Sequence, residues 1–223
     1  MDFAGAFSWM NISFLLEGLW ITIQVAVLSI IFSVIFGVIL GILRYMDIPV
    51  VSRVLGWIID MIRNLPLLLI IFFTYFALPQ LGVQLNIFWS TVVAMSIFES
   101  SMISEIVRGG FSAIADGQTE AGLATGLTRM QTMRHILIPQ MFRDTLPSIV
   151  SQLIALIKDT SLATIITLPE LTHNAKIIYS QNTNYVVPMF VALALLYFVV
   201  CFALSLFSKY LATRLRNTTA TES

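Results

Sequence analysis

LWITIQVAVLSIIFSVIFGVILGIL, from Leu19 to Leu43, runs for 25 residues without a charge before Arg44 closes it. About 20 mostly apolar residues are enough for a helix to cross a bilayer, so this stretch reads as a membrane span. Val186 to Phe207 gives 22 more uncharged residues, followed by Lys209. Between them, Leu65 to Phe98 is uncharged for 34 residues, but Pro79-Gln80-Leu81-Gly82 interrupts it with turn chemistry. Two spans are expected there, about Val54 to Leu78 and Ile87 to Val107. The first takes in Asp60 and Arg63, an i,i+3 pair of opposite sign. Pro66 follows them and lacks a backbone donor, so a kink or a fresh helix start is expected. The second takes in Glu99. A fifth span is expected from about Thr145 to Thr167, with Lys158 and Asp159 inside it, whereas Arg108 to Pro139 is too polar to enter lipid.

Composition agrees with this reading. Of the 223 residues 58% are apolar and 11% charged, and mean hydropathy is +0.91. A soluble domain carries about a quarter charged residues, and a disordered chain needs the opposite composition. Cytosolic enzyme domains and nucleic-acid binders are thereby excluded. The expected fold is an all-α membrane protein with about five transmembrane helices.

Five spans put the termini on opposite sides. One side would hold Arg44, Arg53, Arg108, Arg129, Arg134, Arg143, Lys209, Arg214 and Arg216; the other would hold only Lys176. Basic residues favour the cytoplasmic side, so the N-terminus is expected outside and the C-terminus inside. Trp20, Trp57 and Trp89 fall near expected span ends, where indole rings prefer to sit. The first span is too long for a cleaved signal peptide, and no basic residue precedes it. Residues 1–18 form an outer segment in this scheme, with a short interfacial helix over Phe3 to Leu16. Residues 19–211 form the transmembrane domain and 212–223 a cytoplasmic tail, frayed from Asn217. The single cysteine, Cys201, excludes an intramolecular disulfide. His135 and His173 have no ligand-spaced partner, so no metal site is expected.

The polar loop DGQTEAGLATGLTRMQTMRHILIP, Asp116 to Pro139, reads as helix, turn, helix. Asp116 is a plausible N-cap for a helix through Thr125, and Gly126 suits the left-handed residue that ends it. Thr128 with Gln131 makes a capping box for a second helix. Pro139 is expected to end that helix, while Ile136 and Ile138 pin it against the spans. Such a unit is either an ordinary helical hairpin or a docking surface for a cytoplasmic partner.

Glu120-Ala121-Gly122, then Gly126, then Ile136-Leu137-Ile138-Pro139 resembles the EAA loop of bacterial ABC importer permeases. Gly122 stands where that pattern has its second Ala, and Ile138 where it has Leu. Arg63-Asn64-Leu65-Pro66-Leu67 is similar to the Arg-x-x-Pro-Leu of the polar amino acid branch. Ser104-Glu105-Ile106-Val107-Arg108-Gly109-Gly110, Gly117-Gln118, Pro139-Gln140 and Lys158-Asp159-Thr160-Ser161-Leu162 also resemble that branch. The likeness covers about Leu19 to Arg216. Phe98-Glu99 is similar to permeases for glutamate and aspartate, and Gram-positive glutamine and glutamate systems also look close.

The resemblance implies a multi-pass permease subunit in a bacterial plasma membrane, forming half of a path for glutamate, glutamine or aspartate. It implies a second permease subunit of the same or a related chain, cytoplasmic ABC ATPases on the coupling loop (about 112–139), and an extracytoplasmic amino-acid-binding protein. Lipid surrounds the chain, and no nucleic acid is involved. Of the three lysines none follows a glycine, so the chain lacks the Gly-Lys-Ser/Thr of a P-loop. ATP and magnesium are therefore expected on the partner ATPase, with no cofactor on this chain, which is not itself an enzyme. Gly117, Gln118, Glu120, Ala121, Gly122, Gly126, Ile136, Ile138 and Pro139 are the coupling-loop candidates.

The ionisable residues within the spans supply the other candidates. Charge at mid-depth is costly unless paired or wet, so function is the default reading. Glu99 is either a substrate contact or a protonated group bonded to Ser96 or Ser100, or paired at a subunit interface. Asn64, Ser100, Thr160 and Ser161 are candidate path residues, although hydroxyls in helices commonly bond back to carbonyls. Asp60, Arg63, Glu105, Lys158 and Asp159 are read as charge bracing, with Lys158 and Asp159 finding partners among Asp60, Arg63 and Glu105 or at carbonyls. Two rival readings remain: the partner subunit of a heterodimer without its own pocket, and a small channel or secondary carrier.

Overall fold

The computed structural model describes residues 1–220, with side chains through Phe207. The described residues are helical with no strand. A short α1 (Phe3–Ala6) precedes α2 (Trp9–Tyr45), a single helix of 37 residues. It absorbs residues 9–16 of the expected interfacial helix, running through Glu17 and Gly18 into the apolar stretch without a break. The other helices are α3 (Val51–Arg63), α4 (Leu67–Phe72), α5 (Ile87–Ser112), α6 (Asp116–Ala124), α7 (Arg129–Thr132), α8 (Ile138–Asp159), α9 (Leu171–Gln181) and α10 (Val186–Ala220). A π turn (Phe73–Ala77) and a 3-10 turn (Leu78–Leu81) extend α4, and a 3-10 turn (Thr160–Ile166) extends α8. Residues 212–220 continue α10, and the last three residues of the expected tail lie outside the described residues.

Four helical stretches are long and apolar enough to cross a membrane. The expected span from Val54 to Leu78 is a bent pair, broken where a kink or fresh helix start was expected: Val51–Arg63 and Leu67–Leu81 meet at 100°. Pro66 is the pivot, since it takes an extended ψ of 131° before α4. The direction of α3 is set at its other end as well. Asp47 and Val50 have positive φ, which is costly for a β-branched valine. Ser52 holds that turn by accepting from Ile48 N and donating to Leu43 O, both at 2.8 Å.

The centre of the fold is the parallel pair α2 and α5, in which Gly37 faces Ile103 and Gly41 faces Val107. Ser29, Ser33, Gly37 and Gly41 recur every four residues on α2 and are buried. A β-carbon at Gly37 would stand 2.7 Å from Ile103, and one at Gly41 2.7 Å from Val107. Small residues let the backbones approach, and contact between helices in lipid rests on such close packing. Val25, Ala26, Val92, Met95 and Leu156 fill the middle of the bundle. Ile103, Val107, Phe111 and Met141 fill the end beside α6 and α7.

Pro139 does not stop its helix, contrary to expectation. The backbone passes from α7 through a π turn (Met133–Leu137) into α8, where Pro139 sits in the first turn. Proline is tolerated in a first turn because its missing N–H has no partner there. Asp116 is likewise inside the first turn of α6, and Ala115 holds the cap position without a side-chain bond.

Candidate functional site

The loop between α5 and α8 is a closed hairpin. Gly126 takes φ +88°, and Leu127 N donates to Gly122 O at 3.2 Å while Gly126 N donates to Leu123 O at 3.0 Å. These two bonds satisfy carbonyls that a helix end otherwise leaves open. Thr128 N then donates to Gln131 Oε1 at 2.8 Å, and Gln131 N to Thr128 Oγ1 at 3.3 Å, forming the capping box. Gly122 is buried against Thr132, and Ile136 packs on the core beneath. Gln118 accepts from Gln140 Nε2 at 3.3 Å, which ties α6 to α8. Gly117, Glu120, Ala121, Gly126 and Pro139 are exposed, and Ile138 is half-buried. Leu123 and Met130 add exposed apolar surface, and Glu120 enters no ion pair among the described residues.

Beside the hairpin, the ends of α2, α3 and α5 share a cluster of charges. Glu105 accepts from Arg44 Nη1 at 2.7 Å and from Arg108 Nη2 at 2.5 Å. Arg63 approaches Glu105 at 3.5 Å and Asp60 at 3.6 Å, and Arg44 lies 3.8 Å from Asp60. Asp60, Arg63 and Glu105 thus meet, as the bracing reading expected, joined by Arg44 and Arg108. Lys158 and Asp159 do not join them. They lie at the end of α8 and enter no ion pair among the described residues, because the 100° bend sends α3 away from that depth.

Deeper in the bundle Glu99 is 1% exposed. Its Oε2 accepts from Gln152 Nε2 of α8 at 3.4 Å, and its Oε1 has no partner. Neither Ser96 nor Ser100 bonds to it. Their hydroxyls donate to Val92 O and Ser96 O, at 2.6 and 2.5 Å. Thr160 and Ser161 donate to Ile157 O and Lys158 O, both at 2.7 Å, so their hydroxyls serve their own helix end. Asn64 donates to Asp60 O at 2.7 Å and is exposed at the end of α3.

At the opposite end Glu170, fully buried, caps α9. Its carboxylate accepts from Thr172 N at 2.8 Å, His173 N at 2.7 Å and the Tyr197 hydroxyl at 3.1 Å. Leu171 N donates to Thr22 Oγ1 at 3.1 Å and Asn174 Nδ2 to Phe14 O at 2.8 Å. The turn before α9 is thereby fastened to α2 and α10. Burial pushes the Glu170 carboxyl up to about 7, against the pull of its donors.

Gln152 and Glu170 were not singled out from sequence, and Arg44 and Arg108 were read there as basic residues of the cytoplasmic side, not as partners of Glu105. A lone amide in a membrane helix was the available signal for Gln152. For Glu170 it was an acid just ahead of a helix start.

Residues 33–217 match the family model for the binding-protein-dependent transport system inner membrane component. The probable glutamine ABC transporter permease protein GlnP of Bacillus subtilis is 50% identical over 216 residues, covering 96% of this chain and 99% of that protein. The glutamate/aspartate import permease protein GltK of Escherichia coli is 31% identical over 222 residues, covering 93% and 98%. Among solved structures, an amino acid ABC transporter crystallised with histidines matches with a TM-score of 0.87 and 28% identity, covering 96% of this chain and 99% of that one.

Proposed function

The chain belongs to the binding-protein-dependent transport system inner membrane component family, and we propose that it is the membrane-spanning permease of an ATP-driven glutamine importer. The α6–α7 hairpin carries this reading. Its turn is locked by six named residues, Gly122, Leu123, Gly126, Leu127, Thr128 and Gln131, while Glu120, Leu123 and Met130 face outward. A rigid, exposed hairpin transmits force, whereas a loose loop would absorb it. Cytoplasmic ABC ATPases dock on it, and ATP and magnesium belong to those subunits. The hairpin end faces the cytoplasm, with the N-terminus outside. A second permease subunit completes the pathway, and an outer binding protein delivers the amino acid.

Glutamine is favoured because the 50% identical relative is described as a glutamine permease, whereas the glutamate/aspartate permease is 31% identical. The chemistry at mid-depth is compatible with an amide. The free Oε1 of Glu99 accepts an N–H, and the Gln152 carboxamide offers both a donor and an acceptor. This unpartnered oxygen favours a pocket within this chain over a heterodimer whose partner alone holds one. Binding of the ATPases, closing around ATP, draws the hairpins together and tilts the bundles to open the path outward; hydrolysis resets it.

The test is reconstitution in liposomes with its ATPase and binding protein. Glutamine is expected to stimulate ATP hydrolysis and to enter the vesicle, with glutamate and aspartate weaker. Full transport without any ATPase would overturn the reading in favour of a secondary carrier or channel.

A further inference from the structure

Helix α8 exposes a polar strip along a segment that crosses the membrane. At about 100° per residue, Asp144, Ser148, Ser151 and Lys158 fall within about 80° of one another around the helix. All four are exposed. Pro147, on the same strip, is exposed too and leaves the Arg143 carbonyl without its helical donor. The far side of the helix is the packed one, where Met141, Thr145, Ile149 and Leu156 are buried. The stretch Arg129–Ile166 is nonetheless apolar enough to span a bilayer.

Surfaces of this chain that suit lipid have another composition. Val27, Ile31 and Ile35 of α2 and Leu195, Phe198 and Phe202 of α10 are exposed and apolar. A strip bearing a lysine does not belong there, because charge at depth is costly unless paired or wet. Lys158 stands about 20 Å along the helix from Thr145, well inside a hydrocarbon core about 30 Å thick. It enters no ion pair among the described residues. Nor is there an acid within the spans to answer it. Asp60 and Glu105 hold arginines, and Glu99 is buried against Gln152. Asp159, the next residue, points about 100° away, onto the strip of Gln152. Asp144 lies about 21 Å away along the axis. A second copy would bring only the same acids in the same positions.

An ammonium group has three donors and no acceptor, so on a polar strip it suits an anion that arrives through water. Glutamine carries one such group, its α-carboxylate. Resting on the permease reading above, we propose that the α8 strip lines the amino acid's route and that Lys158 receives the α-carboxylate of the passing substrate. Gln152 lies on the adjoining strip, about 9 Å nearer the hairpin along the axis. An amino acid entering from the opposite end therefore meets Lys158 before it reaches the Glu99–Gln152 pair. Lys158 holds the group common to all amino acids, and the deeper pair meets the side-chain amide.

The test is thiol labelling of the full chain, assembled with its ATPase in opened membrane vesicles. Cys201→Ser removes the single native thiol of this chain, and Ser151→Cys places one on the strip. The reagent is the membrane-impermeant anion sulfonatoethyl methanethiosulfonate. The Ser151→Cys chain is expected to label, and a Phe198→Cys chain, with its thiol on the apolar face of α10, is not. Glutamine is expected to slow the labelling. Glutaminamide, in which a neutral amide replaces the α-carboxylate, is expected to need about tenfold higher concentration, the loss of one charge-assisted hydrogen bond. Lys158→Met is expected to bring the two ligands level, and Lys158→Arg to keep them apart. Labelling of Ser151→Cys no faster than that of Phe198→Cys would overturn the route. Equal protection by the two ligands with Lys158 intact, or none by either, would overturn the carboxylate contact. Glutamine-stimulated ATP hydrolysis by the unmutated assembly with its binding protein scores the permease reading separately. Where that stimulation is present, either failure falls on Lys158 and its strip alone; where it is absent, the reading beneath them falls as well.

Discussion

Gly122 of α6 and Thr132 of α7 are so closely apposed that a β-carbon on residue 122 would stand 2.6 Å from Thr132 Cγ2. Glycine inside a helix costs about 1 kcal/mol against alanine, and here that cost is offset by bringing the two arms of the hairpin into contact. The Gly-for-Ala departure in the loop motif is thus paired with a β-branched residue ten positions on.

Gly122→Ala is therefore expected to loosen the hairpin, despite alanine's better helix propensity. Overpacking typically costs about 1–3 kcal/mol, which exceeds the propensity gain over most of that range. In the assembled transporter, glutamine-stimulated ATP hydrolysis is expected to fall severalfold while insertion into the membrane is unchanged. Adding Thr132→Ala removes Cγ2 and Oγ1 together, and the double variant is expected to recover coupling. A double variant as poor as the single one would show that the contact is not the cause.

Glu99 and Gln152 give a second expectation. Each is drawn from a different helix, and their bond at 3.4 Å spans α5 and α8. Glu99→Gln keeps the volume and replaces one of the two acceptor oxygens with a donor, so the KM for glutamine is expected to rise with assembly and basal ATP hydrolysis retained. Gln152→Leu is expected to raise it too, and the order of preference among glutamine, glutamate and aspartate is expected to shift. Unchanged kinetics for all three amino acids in both variants would make the pair structural.

The first and last spans were legible because uncharged runs of 20 or more residues have few alternatives in a chain this apolar. The orientation of α3 was not. Val54, Trp57, Ile58 and Met61 read as lipid-facing in a span and equally as the outer row of a surface helix. The choice rests on the turn at Asp47 and Val50, whose positive φ no local rule would assign to a valine. Glu99 was legible as a charge in an apolar run, but its partner lies 53 positions away on another helix. Short-range patterns cannot select that partner. The Ser29, Ser33, Gly37, Gly41 spacing was readable in principle, since small residues every four positions mark close helix contacts.

The charge cluster is expected to respond unequally to its two acids. Glu105 is 24% exposed and holds Arg44 and Arg108 at 2.7 and 2.5 Å, whereas Asp60 is 56% exposed with contacts of 3.6 and 3.8 Å. Leaving a fully buried charge unpaired costs about 3–5 kcal/mol. With a quarter of Glu105 in contact with solvent, a loss of about 2 kcal/mol is expected for Glu105→Gln. Asp60→Asn is expected to cost under about 1 kcal/mol, as exposed pairs do. Thermal unfolding of the purified chain in one detergent reads both, and equal losses would contradict the ranking.

Glu170 ties stability to pH. Its carboxyl is raised from an ordinary 4.5 to about 7, chiefly by burial. The folded chain therefore holds this proton more tightly than the unfolded chain. That contribution is complete below about 4.5 and is lost as pH rises through about 7. The apparent Tm of the wild-type chain is expected to be higher at pH 5 than at pH 8. Glu170→Gln has no proton to lose and is expected to show a smaller difference across the same window. It is also expected to melt lower at pH 5, because an NH2 group, which only donates, would replace one of the two oxygens that accept from Thr172 N and His173 N. A wild-type Tm that does not fall between pH 5 and pH 8, or a fall of equal size in Glu170→Gln, would place the titrating group elsewhere.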